Sequence, residues 1–203
     1  MPSLYAAMQK RRTIRRFKSK PVTEKDLLQI VDAARWAVSP GNIQPCEYVI
    51  VNLPRRVSEV FDCVKWENAA APLSAPRAGE RPAAYIVVLI DLMKKKSGGS
   101  TDAAAAVQNA SLAAMELGLG AIRIEDLHRK RLKKKLKIPH HLHVDSVIGL
   151  GNPFEFPVAE ECGDSVLPWA DPDGVIHVPK RRLADVCTMN GYRFAHRYTR
   201  KNI

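Results

Sequence analysis

Six consecutive residues near the N-terminus, Arg11-Arg12-Thr13-Ile14-Arg15-Arg16, hold the densest concentration of hydrogen-bond donors in the 203-residue chain. Five of these six side chains donate hydrogen bonds and four are permanently charged. Guanidinium groups pair with phosphate oxygens two bonds at a time, and a threonine hydroxyl can complete such a cage. A solvated basic turn is the alternative for any isolated arginine run. About two dozen residues later comes Ala33-Ala34-Arg35-Trp36-Ala37-Val38-Ser39-Pro40-Gly41-Asn42-Ile43-Gln44-Pro45. Its end supplies the glycine and short polar side chains that allow close approach to a flat ring. Asn42 and Gln44 are the candidates there, against the alternative of an ordinary polar turn after a helix.

In order and spacing these two stretches resemble the nitroreductase family of FMN-dependent oxidoreductases. That family opens with Arg-Arg-Ser-x-Arg, continues with a helix ending in Ala-Arg-Trp-Ala-Pro-Ser, and then has a Gly-Asn-x-Gln-Pro loop. The similarity runs to near the C-terminus and covers most of the chain. It implies an α+β sandwich, a mostly antiparallel central sheet flanked by helices, as one flavin-binding domain spanning residues 1–203. It further implies an obligate homodimer whose active site is shared between subunits, tightly bound FMN, and NAD(P)H as a transient donor. Hydride would pass through flavin N5 to an electrophilic acceptor such as a nitroaromatic or quinone, by a ping-pong mechanism. Other branches of the scaffold carry out dehalogenation or ring fragmentation, so the fold alone does not fix the reaction.

Matched position by position, the resemblance gives each residue a role. Arg11, Arg12 and Thr13 would grip the FMN phosphate from one end of the chain. Lys180 and Arg182, in a late Lys-x-Arg-Leu pattern, would grip it from the other, and Arg12 could instead reach the ribityl chain. Arg15 would face N1 and O2 of the flavin, where negative charge accumulates on reduction and a cation favours the reduced form. A salt bridge from Arg15 to Glu24 or Asp26 is the competing role. The loop with Ser39, Pro40, Asn42 and Gln44 would lie against the FMN of the partner subunit. Ile124, Glu125 and Asp126 would run along the ring, and a backbone N–H there would point at N5. The chain departs from the pattern in two places: many relatives have Gly where Asp126 stands and Trp where Cys46 stands. Arg123 could contact the polar edge of the cofactor or a nicotinamide phosphate.

These residues need elements to hold them. Residues 3–10 read as a short helix with Leu4, Ala7 and Met8 on one face. Thr23 reads as an N-cap with acids in the first turn, followed by Leu27, Ile30, Val31 and Ala34 at helical spacing, to a stop near Val38. Residues 48–51 read as a strand, Pro54 as the start of a helix to about Lys65, and residues 67–82 as a long loop of the kind that often carries function. Residues 85–91 read as a buried strand and 94–99 as a charged connection. Thr101 or Asp102 is expected to cap an Ala-rich helix that runs to about Leu117 and is buried on more than one side. Gly118 would close it. An extended segment at 121–125, a basic helix at 128–137 and a strand at 143–149 follow. The chain then reads as irregular from Pro153 to Gly174, with a strand at 174–178 and a last short helix near 183–186.

Composition narrows the alternatives. A net charge of +11 and a pI near 9.7 favour anionic ligands. Nucleic acid binding through the basic helix would explain the charge but neither the Asn42/Gln44 loop nor the paired basic motifs at the two ends. Four scattered cysteines, without Cys-x-x-Cys, speak against zinc ribbons and thioredoxin-type pairs and for a reducing cytoplasm. No apolar run is long enough for a bilayer. His140, His141 and His143 lack carboxylate or thiolate companions, so a hydrated turn outweighs a metal site. Gly118-x-Gly120 and Gly149-x-Gly151 do not continue into a dinucleotide-binding fingerprint. No hydrolase motif stands out.

Overall fold

The computed structural model describes residues 3–66 and 75–192. The chain forms two compact units, Met1–Glu155 and Phe156–Ile203.

The first unit is an α+β sandwich. Its elements in order are α1 (Leu4–Lys10), β1 (Phe17–Lys18), α2 (Glu24–Arg35), a single 3-10 turn (Pro40–Asn42), β2 (Cys46–Val51) and α3 (Pro54–Phe61). Then come β3 (Ala84–Asp91), α4 (Gly99–Glu116), β4 (Gly120–Ile124), α5 (Arg129–Leu136) and β5 (Leu142–Pro153). The sheet order is β1-β5-β3-β2, with β4 also paired to β5, and every pairing is antiparallel. All eight residues of β3 are buried, because helices cover both faces of the sheet. Alternation sorts its side chains. Ala84, Ile86, Val88 and Ile90 join the core under α2 and α4, while Tyr85, Val87 and Leu89 join the core under α3 and α5.

The local signals behave as their chemistry requires. Thr23 Oγ1 accepts from the Asp26 N–H at 3.1 Å and starts α2. Gly118, at φ +73°, closes α4: its N–H reaches the Met115 carbonyl at 3.0 Å, and that of Leu119 reaches Ala114 at 2.8 Å. α4 is buried through Ala103, Ala106, Val107, Ala110 and Ala114, small residues that let it pack closely on α2 and the sheet.

Several expectations need correction. Helix α4 begins at Gly99, so neither Thr101 nor Asp102 caps it. Asp102 instead sits in the first turn, 3% exposed, and takes an ion pair from Lys95, which folds the supposed loose connection back onto the helix. Gly99 is required at this start, because a Cβ there would lie 2.5 Å from Ile90. α2 stops at Arg35 and α3 at Phe61, each a few residues earlier than expected. β5 extends to Pro153 because its last two residues pair with β1. Leu4 and Met8 of α1, expected to bury a face, are 66% and 48% exposed in this chain. Residues 67–74 of the long loop lie outside the described residues.

The second unit holds a separate three-stranded sheet: its last strand and the helix after it lie near the strand expected at 174–178 and the helix expected near 183–186, and its first two strands lie where irregular chain was expected. β6 (Val158–Glu161) runs parallel to β8 (Ile176–Lys180), and β7 (Trp169–Ala170) pairs antiparallel with β8. The short α6 (Leu183–Val186) follows. With four and two residues and little apolar periodicity, β6 and β7 leave no readable trace in the sequence.

The glycines at 120 and 151 make room for the arginine run. A Cβ on Gly120 would sit 2.7 Å from Ile14, and one on Gly151 would sit 2.9 Å from the buried Phe17. Replacing Gly120 with Ala should therefore overpack this contact by about 1–3 kcal/mol. For a chain of this size that corresponds to a melting temperature lower by several degrees, about 2–4 °C per kcal/mol, in a thermal unfolding scan.

Candidate functional site

The arginine run is an extended connection between α1 and β1, laid along the start of β4. Thr13 bridges Ala121 in parallel, and the Ile14 N–H donates to the Ala121 carbonyl at 3.1 Å. Two segments more than a hundred residues apart in sequence, and both predicted to serve one ligand, are thus joined through their backbones.

The far end of the run is neutralised by two acids. Arg16 forms a two-bonded pair with Glu80 at 2.8 and 2.6 Å and lies over the Phe154 ring at 4.9 Å. The Phe17 N–H donates to the Glu80 carbonyl, and Glu155 Oε1 accepts the Arg15 N–H at 2.5 Å. The pair holds Glu80 below the usual carboxylate range, with the Arg16 hydrogen bond as the main cause. Sequence reasoning missed both acids. Each lies far from the arginines along the chain, in a turn of no periodicity, and only the fold brings them together.

The near end stays unsatisfied. Arg12 donates from Nη1 to the Arg11 carbonyl at 2.5 Å, but its Nε is buried without a partner. Among the described residues, neither Arg11, Arg12 nor Arg15 has a carboxylate within ion-pairing distance of its guanidinium. The competing Arg15 pairing with Glu24 or Asp26 does not form. Burial pulls the Arg12 and Arg15 guanidinium groups below their usual range, and the nearby Glu155 only partly opposes this at Arg15. Half-buried cations with no ion-paired carboxylate, one of them with an orphaned N–H, are a donor set suited to an anion of the size of a phosphate monoester.

At the end of β4 the picture differs from expectation. The Ile124 side chain points into the core at 8% exposure, so only its backbone can face a ligand. The Glu125 side chain is exposed and turned to Arg123 at 2.8 Å, while its carbonyl accepts from Arg129 at 2.8 Å. Arg123 also binds the buried Asp145 at 2.9 Å, a residue that protrudes at a bulge in the β3–β5 pairing. Arg123 is therefore committed to two acids of its own chain. Asp126 pairs with Lys65 at 3.1 Å.

The loop after α2 is shaped by itself. Pro40 opens the 3-10 turn; Asn42 and Gln44 both adopt positive φ, +52° and +51°, and Gln44 Nε2 donates to Asn42 Oδ1 at 2.9 Å. Ser39 Oγ accepts the Gln44 N–H at 3.0 Å. Beneath the loop is a cleft of about 420 Å³ bordered by Val38, Ser39, Gln44, Cys46, Tyr48 and Asp102, within the usual range for small-molecule sites. Among the described residues no hydrogen bond links this loop to the arginine run.

In the second unit, Lys180 is exposed at the end of β8. Arg182 precedes α6 and pairs with Asp185 at 2.9 and 3.1 Å. Among the described residues no cluster of three or more His, Cys, Asp or Glu could hold a metal ion, and no helix is long and apolar enough to cross a membrane. The four cysteines are free.

Comparison with known proteins decides the family. The family model described as "Nitroreductase family" matches residues 8–152. The chain belongs to the nitroreductase family. Two curated relatives are provisionally named NADH dehydrogenase/NAD(P)H nitroreductase. The one from Archaeoglobus fulgidus is 29% identical over 169 residues, 78% of this chain and 90% of its own length. The one from Methanothermobacter thermautotrophicus is 30% identical over 165 residues, 78% of this chain and 81% of its own. A provisionally named nitroreductase from Desulfovibrio desulfuricans, solved in complex with FMN, shares the fold at a TM-score of 0.69. It is 22% identical, and the match covers 95% of this chain and 99% of that one.

Cys46 borders the cleft, half-buried and held as the neutral thiol. Burial is the main cause that pushes it up to about 11, and the neighbouring Asp102 and Asp145 add to it. A thiol this high is roughly one-thousandth ionised at about pH 8. Alkylation with iodoacetamide near that pH, read by peptide mass spectrometry, should modify the exposed Cys187 and leave Cys46 intact until the pH approaches its raised value.

Proposed function

We propose that this nitroreductase-family protein is an FMN-dependent NAD(P)H oxidoreductase that reduces electrophilic acceptors such as nitroaromatics or quinones. The observation that carries this reading is the set of half-buried arginines beside β4: among the described residues Arg11, Arg12 and Arg15 have no carboxylate within ion-pairing distance of their guanidinium groups, and Arg12 Nε is buried without a partner. When bound, FMN would supply hydride exchange between the nicotinamide and the acceptor.

The residues of the chain divide the remaining work. Arg11, Arg12 and Thr13 would hold the phosphate, and the family pattern adds Lys180 and Arg182 to the same task. For Arg182 this means sharing its guanidinium between Asp185 and the phosphate. Arg15, half-buried and unpaired at its guanidinium, would place positive charge where the reduced ring becomes anionic, and so favour the reduced form over the oxidised one. Glu125 would act through its backbone, because its side chain is held by Arg123. Ser39, Pro40, Asn42 and Gln44 would close the ring site of a partner subunit. The exposed Leu4, Tyr5, Met8 and Trp36 give this homodimer an apolar surface to bury. NAD(P)H and acceptor would occupy one slot in turn.

A nucleic-acid reading draws on one observation. Lys130, Arg131, Lys134 and Lys135 of α5 have no carboxylate within ion-pairing distance among the described residues. The exposed face of α5 lacks aromatic and amide side chains to touch bases, which leaves it a solvated cationic face.

The purified protein should be yellow, and its flavin absorbance should bleach under NADH or NADPH without oxygen and return on addition of a nitroaromatic or quinone. Arg11→Ala should weaken FMN affinity at least about tenfold, as expected for the loss of one charge-assisted contact of about 1.5–3 kcal/mol. An unchanged FMN dissociation constant in that variant would remove the phosphate grip from the model. Elution at monomer mass with flavin retained would remove the shared site.

A further inference from the structure

The second unit has no hydrophobic core of its own among its described residues: Pro179 is the single buried side chain from 156 to 192. Its strands are two to five residues long. Sheets this small are not stable on backbone pairing alone and need packing from one face. What ties these three strands together is one imidazole.

His177, on β8, points between two acids. Its Nδ1 lies 2.8 Å from Glu160 Oε2 on β6, and its Nε2 lies 3.3 Å from Asp171 Oδ2, just past β7. Trp169 of β7 stacks on the imidazole, with ring centres 4.1 Å apart and planes at 17°, and its Nε1 donates to Glu160 Oε1 at 2.7 Å. Asp171 Oδ1 accepts the Val175 N–H at 2.8 Å, which closes the turn into β8. Every strand of the sheet therefore contributes to a single cluster. Among the described residues Glu160 and Asp171 are the titratable groups that face the imidazole, and no cation does.

A neutral imidazole has one N–H and can serve only one of two flanking carboxylates; the other nitrogen would turn its lone pair toward an anion. The protonated ring donates to both at once. The same strand ends at Lys180, whose carbonyl accepts the Cys162 N–H at 2.8 Å in the continuing β6–β8 ladder, and Arg182 follows two residues later.

We propose that His177 is a positioning residue for the phosphate grip: its protonated imidazole pins β6, β7 and β8 together and so holds Lys180 and Arg182 in place. This inference rests on the FMN reading above and adds to it a dependence of flavin retention on pH. The two acids raise the imidazole above its ordinary value, the Glu160 hydrogen bond being the main cause, and Glu160 and Asp171 are in turn held low. A raised base contributes its stabilisation fully below its ordinary value and loses it as the pH climbs through the raised one. The pin is thus fully present below the ordinary imidazole value and weakens as the pH climbs through the raised one, towards the alkaline side, where the FMN phosphate is fully ionised and the lysines and arginines are still charged.

The test is the FMN dissociation constant of the full-length protein, measured by quenching of flavin fluorescence between about pH 7 and about pH 9, beside an NMR titration of the His177 ring nitrogens. The wild type should bind about tenfold more weakly at the upper end, the size of change expected when one charge-assisted contact is lost. His177→Arg, permanently charged, planar and able to stack on Trp169, should bind within about threefold of wild type at neutral pH and show no alkaline loss. His177→Phe, which keeps the stack but not the charge, should bind at least about tenfold more weakly at every pH, with a flat profile. A wild-type affinity that stays flat while the imidazole titrates overturns the inference and leaves the FMN reading standing, as does an alkaline loss in His177→Arg equal to that of wild type. Absence of FMN binding at any pH overturns both.

Discussion

One backbone contact governs the geometry of the first unit: the Ile14 N–H on the Ala121 carbonyl, with Gly120 bare beneath Ile14. By itself such a bond adds only about 1 kcal/mol. Its consequence is positional. It fixes an otherwise extended arginine segment against β4, and β4 is fixed in turn by β5, the strand that pairs with β1, β3 and β4 alike. A run of guanidinium groups that in isolation would extend into water is held half-buried, at an electrostatic cost the protein alone does not recover. Glu80 and Glu155 neutralise the distal part of the run and anchor its backbone. They leave the proximal part charged and unmatched, which is the state a site for an anion requires.

The bulk of the charge does a different job. The chain carries +11, but most of that excess is on α5 and other exposed helices, where water screens it and partners are dispensable. Net charge alone suggests nucleic acid. Burial separates the two populations: Lys130 and Lys134 are exposed, whereas Arg12 and Arg15 are half-buried and desolvation pulls their pKa values down. Only cations whose charged form is destabilised by their surroundings stand to gain from a fixed anion. The functional reading therefore follows from three side chains, Arg11, Arg12 and Arg15, and not from composition.

Much of this was legible in the residues. Periodicity gave α2 and α4, Thr23 and Gly118 marked helix ends by their own chemistry, and the apolar run at 85–91 could only be a strand covered on both faces. The family pattern supplied the arginine run, the loop and the β4 segment. The unread part has a common physical cause. Glu80, Glu155 and Asp145 act at long range, so their partners are invisible until the chain is folded. The buried Lys95–Asp102 pair lay hidden in a stretch that looked like a solvated connection, because lysine and aspartate are usually exposed and nothing local marks the exception. β6 and β7 are too short for alternation to register. The glycine pairs, tested and set aside as a dinucleotide fingerprint, turned out to be clearance: Gly120 and Gly151 are small because Ile14 and Phe17 lie on them.

The two units illustrate opposite ways to hold a side chain in place. In the first, Leu27, Ile30, Val88, Ile148 and their neighbours form continuous cores on both sides of a sheet, and the arginines inherit rigidity from packing that is insensitive to pH and salt. In the second, apolar burial is nearly absent, and order comes from a histidine shared by two acids under a tryptophan. Packing is dense but indifferent to solution conditions; an ion cluster is local, directional and conditional on protonation. If both groups of cations grip one phosphate, the grip is only as firm as its weaker anchor. Flavin retention would then respond to conditions that leave the fold of the first unit untouched, because the conditional anchor lies in the unit that has no core.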